Sequence, residues 1–192
     1  MGPRSLAYRK ARSSGQYRHP ARMFFGGFGP TVARQTLEGI ASDYAIESRR
    51  FALVVDYHTG LAPFGYGELQ CAQASGMTGY ERAHDIFGPS VTSPDFGTPS
   101  AVVLNGTQDD NWQRLLGERH IYACLEFGTY PSEAGRPALR TDHWLYAYGQ
   151  TEIETARGRV RLHFYPDRLD WKEMVPWSSR QVHRKMLQGL QL

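Results

Sequence analysis

The chain has 192 residues, of which 41% are hydrophobic and 21% are charged, as is typical of a globular domain with one sizeable core. No apolar run approaches the roughly 20 residues of a transmembrane helix, and the basic N-terminus lacks the apolar stretch of a secretory signal. The two cysteines, Cys71 and Cys124, lie far apart and not in the spacing of a metal-binding motif, so a reduced, cytoplasmic setting is expected.

Positive charge is concentrated at the N-terminus. The first 22 residues carry six basic side chains and no acidic one, which leaves 16 basic against 19 acidic residues in the rest. Such an arm can bind nucleic acid or an anionic surface, but solvated, flexible segments commonly have the same composition and no aromatic-basic RNA-binding motif follows. We therefore expect a flexible basic segment over 1–15, a single α/β domain over 16–192, and neither a membrane nor nucleic acid as partner.

The predicted elements alternate between helices and strands. A glycine- and aromatic-rich loop covers 15–30, and Thr31 is the predicted N-cap of a helix that ends near Glu47. Buried strands are predicted for the short apolar runs 51–55 and 121–125. Further helices are expected at 78–87, after the acidic pair Asp109 and Asp110, at 138–148 and at 166–190, the last broken near Pro176. Loops or irregular chain are expected at 71–79, 91–107, 131–137 and 157–161. This alternation favours an α/β fold with a mixed, largely parallel sheet flanked by helices.

Chemically capable residues follow both predicted strands. The first strand is followed by Asp56, His58 and a glycine-rich segment, and the second is followed by Glu126. Open α/β sheets bind ligands at the carboxyl ends of their strands, so His58 and Glu126 are expected in one crevice. There His58 would ligate a metal and Glu126 would act as general base on its water. From the residues alone, a purely structural histidine is an open alternative.

The segment 56–68, DYHTGLAPFGYGE, closely resembles the third-ligand segment of zinc-carboxypeptidase-like proteins. It is most similar to an uncharacterised bacterial branch, a domain of unknown function related to the succinylglutamate desuccinylase and aspartoacylase group. In that branch the segment reads approximately D-x-H-T-G-L-G-P-Y-G-Y-G-E. Residues 125–129, LEFGT, resemble the catalytic-glutamate strand of the same branch. Weaker similarities extend from about Gly15 to the C-terminus.

The resemblance implies the C-terminal part of a zinc-carboxypeptidase-like three-layer sandwich. It implies zinc-dependent hydrolysis of a peptide or acyl-amide bond, with a small peptide or acyl-amino-acid substrate, His58 as zinc ligand and Glu126 as general base. Four further residues would orient the ligand or line the pocket: Asp56, Thr59, Tyr66 and Glu68. Turn capping or loop packing explains these four residues as well.

Two motifs of that family are missing from the chain. The family's first two zinc ligands come from a His-x-x-Glu motif, and an Asn-Arg motif holds the substrate carboxylate, but no histidine here has a glutamate three residues on. We therefore expect a C-terminal half that is inactive by itself: a fragment, a split-gene product or a degenerate member. It would bind zinc only if the missing N-terminal half or a second copy supplied the other ligands. The alternative is a non-catalytic α/β remnant that acts as an interaction module, and a basic-arm nucleic-acid binder is the third hypothesis.

Overall fold

The structure is a computed structural model that describes residues 13–96, 104, 106–149 and 152–191. In this part of the chain, six helices and three strands follow in the order α1 (Val32–Asp43), β1 (Ala52–Phe64), β2 (Gly67–Cys71), α2 (Thr78–Phe87), α3 (Gln108–Leu116), β3 (His120–Gly128), α4 (Ser132–Tyr148), α5 (Ile153–Phe164) and α6 (Leu169–Gly189). Short 3₁₀ turns lie at Ile46–Ser48, Pro94–Phe96 and Gly117–Arg119. Most of the basic segment predicted over 1–15 falls outside the described residues.

Local sequence signals place the N-terminal ends of two helices. The Thr31 hydroxyl accepts the backbone N–H of Arg34 at 3.2 Å, so Thr31 caps α1 as its sequence position predicts. At the start of α3 the Asp110 carboxylate accepts the backbone N–H of Thr107 at 3.0 Å, and this acid also suits the positive end of the helix dipole.

The three strands form one mixed sheet in the order β1-β3-β2. The central strand β3 pairs in parallel with β1 and antiparallel with β2. Helices pack on both faces of this sheet, so the predicted mixed α/β architecture flanked by helices is confirmed. The parallel register places His58 beside Glu126, and the antiparallel register places Glu68 on the other side of Glu126.

The two faces of the sheet differ in chemistry because successive side chains of a strand alternate between them. On the first face, Ile121, Ala123, Leu125 and Phe127 of β3 form the larger apolar core with side chains of α2 and α6. On the second face, Tyr122 and the partly buried Cys124 lie in a smaller apolar cluster with side chains of α1 and α3. The sheet is therefore enclosed by two layers of helices, and the second face carries the smaller of the two apolar clusters.

Strand β1 is longer than predicted and is interrupted near its end. Its register on β3 shifts between Gly60 and Phe64, both of which pair with Gly128, so the intervening residues loop out as a bulge. Gly60 has a φ of +140°, which favours glycine, and a Cβ on Gly128 would lie 1.9 Å from the Pro63 carbonyl oxygen. The glycines at this point therefore allow the bulge and the close approach of the two strands.

Several sequence predictions about boundaries are wrong. The expected loop at 131–137 is helical, because α4 begins at Ser132 and contains Pro137 close to its N-terminal end. Segment 157–161 lies inside α5, and α6 continues through Pro176. A proline removes one helical hydrogen bond, and in α6 the packing of Trp171 and Val175 against the apolar core helps to hold the helix together.

Candidate functional site

Three potential metal ligands of different chemical types lie together on the second face of the sheet. His58, Cys124 and Glu126 each offer one ligand atom, and these atoms all lie within 4.8 Å of one another. We call these three residues the donor cluster. They meet because β1 and β3 are parallel and adjacent, with His58 opposite Glu126 and Asp56 opposite Cys124. All four positions have the same strand parity, so their side chains share one face.

The cluster lies inside the strands rather than beyond their ends. The sequence places His58 just past a strand that stops at Val55, whereas β1 continues to Phe64. The donor cluster therefore lies on a sheet face, directly beyond the point where the apolar contacts of α1 and α3 reach Val54, Tyr122 and Cys124. The expected meeting of His58 and Glu126 is present, but in a different position relative to the strand ends.

The carboxylate of Asp56 is hydrogen-bonded to the His58 ring. One oxygen of Asp56, Oδ2, lies 2.9 Å from His58 Nε2, and the same oxygen accepts the hydroxyl of Tyr122. The hydrogen bond to Asp56 raises the pKa of His58 above its usual value; burial works against this shift, and the Asp56 and Glu126 charges add to it. For Asp56, burial disfavours the charge, but the hydrogen bonds from His58 and Tyr122 outweigh it and lower the pKa.

Glu126 is a buried carboxylate with one anchored oxygen. Its relative exposure is 6%, and its Oε1 accepts the backbone N–H of Leu61, a residue of the β1 bulge, at 3.0 Å. Burial raises the pKa of Glu126; the Leu61 N–H and His58 oppose this, while the neighbouring Glu68 and Asp56 carboxylates add to it. A carboxyl group with a raised pKa is better suited to take up and release a proton near neutral pH than an ordinary glutamate.

Glu68 completes a group of acidic side chains around the cluster. It is buried, its Oε1 accepts the Thr92 hydroxyl at 3.0 Å, and its Oε2 accepts the Gln70 side-chain N–H at 3.2 Å. Three carboxyl groups, those of Asp56, Glu68 and Glu126, therefore lie on one patch of the sheet. A bound cation would relieve their mutual repulsion and the cost of burying them.

The other two predicted pocket residues lie elsewhere. Thr59 has the opposite strand parity from His58, and its hydroxyl donates to the Phe164 carbonyl of α5 at 2.7 Å. Tyr66 lies in the turn between β1 and β2, and its ring is half exposed. The structure therefore brings Asp56 and Glu68 to His58 and Glu126, but not Thr59 or Tyr66.

Sequence reasoning missed Cys124 because the two cysteines have no metal-like spacing along the chain. The available signal was the alternation of the strand, which puts Cys124 and Glu126, two residues apart, on the same face. The Cys124 thiol is half-buried, and burial raises its pKa together with the nearby Glu126, Asp56 and Glu68 carboxylates.

The end of β3 is tied to the C-terminal helix. The Gly128 carbonyl accepts the Trp171 indole N–H at 2.8 Å and the Gly65 backbone N–H at 2.9 Å. Trp171 is almost fully buried, so it anchors α6 to the strand that carries Glu126. This contact lies at Gly128, two residues after the candidate general base Glu126.

A surface pocket occurs at a different place, between α1 and α3. Its lining includes Arg34, Glu38 and Arg114, and it shares no residue with the donor cluster. Among the described helices, none combines the length and apolar composition needed to cross a bilayer.

Comparison with known proteins yields one family. The family described as Protein of unknown function (DUF2817) matches residues 3–178, a range that includes the whole donor cluster and Asp56. No curated protein and no solved structure matches the chain.

Proposed function

The chain belongs to the family described as Protein of unknown function (DUF2817), and we propose that it is a metal-dependent hydrolase of a peptide or acyl-amide bond. In this proposal the metal is zinc, and the substrate is a small peptide or an acylated amino acid. His58 is a metal ligand and Glu126 is the general base. The resemblance of segments 56–68 and 125–129 to zinc-carboxypeptidase-like proteins of a bacterial branch supports the same assignment.

The observation that carries the proposal is the pairing of an oriented imidazole with a buried carboxylate on adjacent strands. Metal-binding histidines usually have their second ring nitrogen hydrogen-bonded to a carboxylate or carbonyl, which fixes the ring. Asp56 occupies that position at 2.9 Å from His58, and the Tyr122 hydroxyl fixes Asp56 in turn. Glu126 lies beside His58 in register, and its raised pKa suits a proton-transfer role.

The donor set fits zinc, which takes nitrogen, sulfur and carboxylate ligands. Bound zinc would supply a Lewis acid and an activated water. Glu126 would accept a proton from the attacking water and return it to the leaving amine. Asp56 would keep the His58 ring in place, and the Leu61 N–H would fix the Glu126 carboxylate. Because catalytic zinc normally has three protein ligands, His58 requires ligands in addition to itself, from this chain or from a partner.

Metal analysis and hydrolysis assays test the two assigned roles separately. The purified full chain would be assayed for bound zinc as wild type, His58→Ala and Glu126→Gln, and each protein would be tested against a panel of peptides and acyl-amino acids. We expect His58→Ala to lose metal and activity, and Glu126→Gln to lose turnover while retaining most of its metal. His84→Ala and Glu173→Gln, at exposed positions on α2 and α6, are the matched controls.

Three results would overturn the assignment. Zinc that stays bound in His58→Ala would exclude His58 as a ligand. Turnover that survives in Glu126→Gln would exclude Glu126 as the base. A wild-type chain that neither binds zinc nor hydrolyses any substrate, alone or with a partner chain, would remove the support for a hydrolase.

A second function is favoured by the edge position of β1. In the described part of the chain no strand pairs with the outer side of β1, although Leu53, Val54 and Val55 in it are apolar and half-buried. Such an edge can accept a strand from another chain, as expected of a non-catalytic interaction module. This alternative predicts no stoichiometric metal and self-association or partner binding, which sedimentation velocity would detect. A metal-loaded monomer would contradict it.

A further inference from the structure

We infer that Cys124 is a second metal ligand that this chain itself supplies, next to His58, so that Glu126 acts on the water and not as a ligand. The inference rests on the proposed hydrolase function and deepens it. It replaces one of the ligands that the sequence leaves unaccounted for, and it gives the site a sulfur donor.

The position of Cys124 fits a shared ion. Typical zinc–sulfur and zinc–nitrogen bonds are about 2.3 Å and about 2.0–2.1 Å, so two such ligands of one ion lie at most about 4.4 Å apart. The donor atoms of His58, Cys124 and Glu126 lie within 4.8 Å of one another without any ion present. A small rotation of the side chains would therefore bring the sulfur and the imidazole onto one ion.

The surroundings of Cys124 differ from those of the other cysteine. Cys71 lies fully buried on the first face, packed in the apolar core with Leu69 and Phe87, as an ordinary buried cysteine does. Cys124 is half-buried between the apolar cluster and the carboxyl groups of Asp56 and Glu126. A bound cation would favour the thiolate form of Cys124, and the same cation would neutralise part of the charge of the neighbouring carboxylates.

The contacts of Glu126 favour the role of base over that of ligand. The Leu61 N–H occupies Oε1 and belongs to the bulge of β1, which the glycine at position 60 makes possible. One oxygen is thereby fixed, and the other is left to accept a proton from a water bound next to His58 and Cys124. The first ligand, His58, then comes from β1, and the second ligand and the base, Cys124 and Glu126, come from the neighbouring strand β3, where they are two residues apart.

The ligand types also select the metal. A neutral imidazole with a thiolate favours zinc and chemically similar ions such as cobalt(II), whereas magnesium and calcium favour all-oxygen sites. We therefore expect the full chain to bind Zn²⁺ and Co²⁺ in competition and to bind Mg²⁺ far more weakly.

Cobalt(II) titration tests the assignment, because a cobalt–thiolate bond gives a charge-transfer absorption in the near ultraviolet. The full-length wild type would be titrated with CoCl₂ alongside Cys124→Ser, Cys71→Ser and Glu126→Gln, with folding of each variant verified by circular dichroism. We expect the band in wild type, Cys71→Ser and Glu126→Gln, and its displacement by Zn²⁺. In Cys124→Ser we expect loss of the band and weakening of cobalt binding by at least about 100-fold, more than the loss of an outer-sphere partner causes.

The wild-type spectrum can refute the role of Cys124 as a ligand even if a variant fails to fold. Cobalt that binds to wild type but gives no thiolate band would overturn the role of Cys124 while leaving the hydrolase proposal intact. A thiolate band in wild type together with unchanged turnover in Glu126→Gln would support the Cys124 ligand and overturn the role of Glu126. A wild-type chain that binds no cobalt overturns both.

Discussion

Replacing Tyr122 by phenylalanine tests whether the Tyr122 hydroxyl stabilises the ionised carboxylate of Asp56, which is hydrogen-bonded to His58. The Tyr122 hydroxyl donates to Asp56 Oδ2, and the pKa of Tyr122 is raised by burial and by this carboxylate, so the hydroxyl stays protonated and acts as the donor. The phenylalanine ring would keep its place in the apolar cluster of α1 and α3, where the ring is buried. The substitution therefore removes one hydrogen bond and little packing.

The expected cost follows from the charge of the acceptor. Hydrogen bonds to ionised groups contribute about 1.5–3 kcal/mol, compared with about 0.5–1.5 kcal/mol for neutral pairs. Asp56 is ionised at neutral pH because its hydrogen bonds with His58 and Tyr122 outweigh burial and lower its pKa. We therefore expect Tyr122→Phe to lower the free energy of unfolding at pH 7 by about 1.5–3 kcal/mol.

The loss of stability in Tyr122→Phe should become smaller at acidic pH, because the pKa of Asp56 is lowered in the folded state. A depressed carboxyl pKa contributes stability above the unfolded-state pKa of about 3.9, and that contribution is lost as the pH falls through the folded-state value. The difference between wild type and Tyr122→Phe should therefore be full at pH 7 and shrink below about pH 3.9. Losing the hydroxyl should also move the pKa of Asp56 upward, towards its ordinary value.

Urea unfolding monitored by tryptophan fluorescence at several pH values measures the difference. Tyr80→Phe is the matched control, since Tyr80 is a buried tyrosine of the first-face core. For this variant we expect a smaller loss, below about 1.5 kcal/mol, because no hydrogen bond to an ionised group is removed. A penalty for Tyr122→Phe that is equally small at pH 7, or one that does not shrink on acidification, would refute the idea that Tyr122 stabilises a charged Asp56.

Three further substitutions test the Asp56–His58 hydrogen bond, the close approach of β1 to Gly128 and the contact of α6 with β3. Asp56→Asn should lower the pKa of His58, which NMR titration of the imidazole would follow; since the native pKa is raised, this variant should lose more stability at pH 6 than at pH 9. Gly128→Ala should prevent folding or displace the bulge, because its Cβ would meet a backbone oxygen at 1.9 Å, whereas Gly158→Ala in the open part of α5 should stabilise by up to about 1 kcal/mol in urea unfolding. Trp171→Phe should lower the unfolding free energy by about 0.5–1.5 kcal/mol for the lost indole hydrogen bond, since the Gly128 carbonyl keeps the Gly65 N–H as donor; equal stability would exclude this anchor.

The sequence predicts those parts of the fold that depend on short-range patterns. The apolar runs at 51–55 and 121–125 are strands because the central sheet buries them, and the pairing of His58 with Glu126 follows once the strands are parallel and adjacent. The helix at 78–87 is found in the structure as α2, with Tyr80 buried on its core side. In each case, local sequence and tertiary packing favour the same structure.

The missed features depend on contacts that are distant in sequence. Strand β2, Gly67–Cys71, has an alternating pattern in which Glu68 and Gln70 face the polar part of the second face, so it lacks the apolar run of a buried strand. Pro137 and Pro176 suggest helix breaks, but each lies within a helix. Strand alternation puts Cys124 on the same face as Glu126, but its approach to His58 depends on the register of β1 on β3, which no spacing along the chain reveals.

The position of the donor cluster in the sheet determines from which side a further ligand could reach the proposed metal site. Glu126 and Glu68 are 6% and 7% exposed and lie on the central strand and on β2, so that side is closed. The His58 side chain is 50% exposed and lies on the edge strand β1, where the described chain offers no further strand. In the proposed metal site, we therefore expect a ligand beyond His58 and Cys124 to approach from the β1 side. The edge that favours an interaction module and the exposed side of the proposed metal site both belong to β1, so we expect a strand added at β1 to lie next to that site.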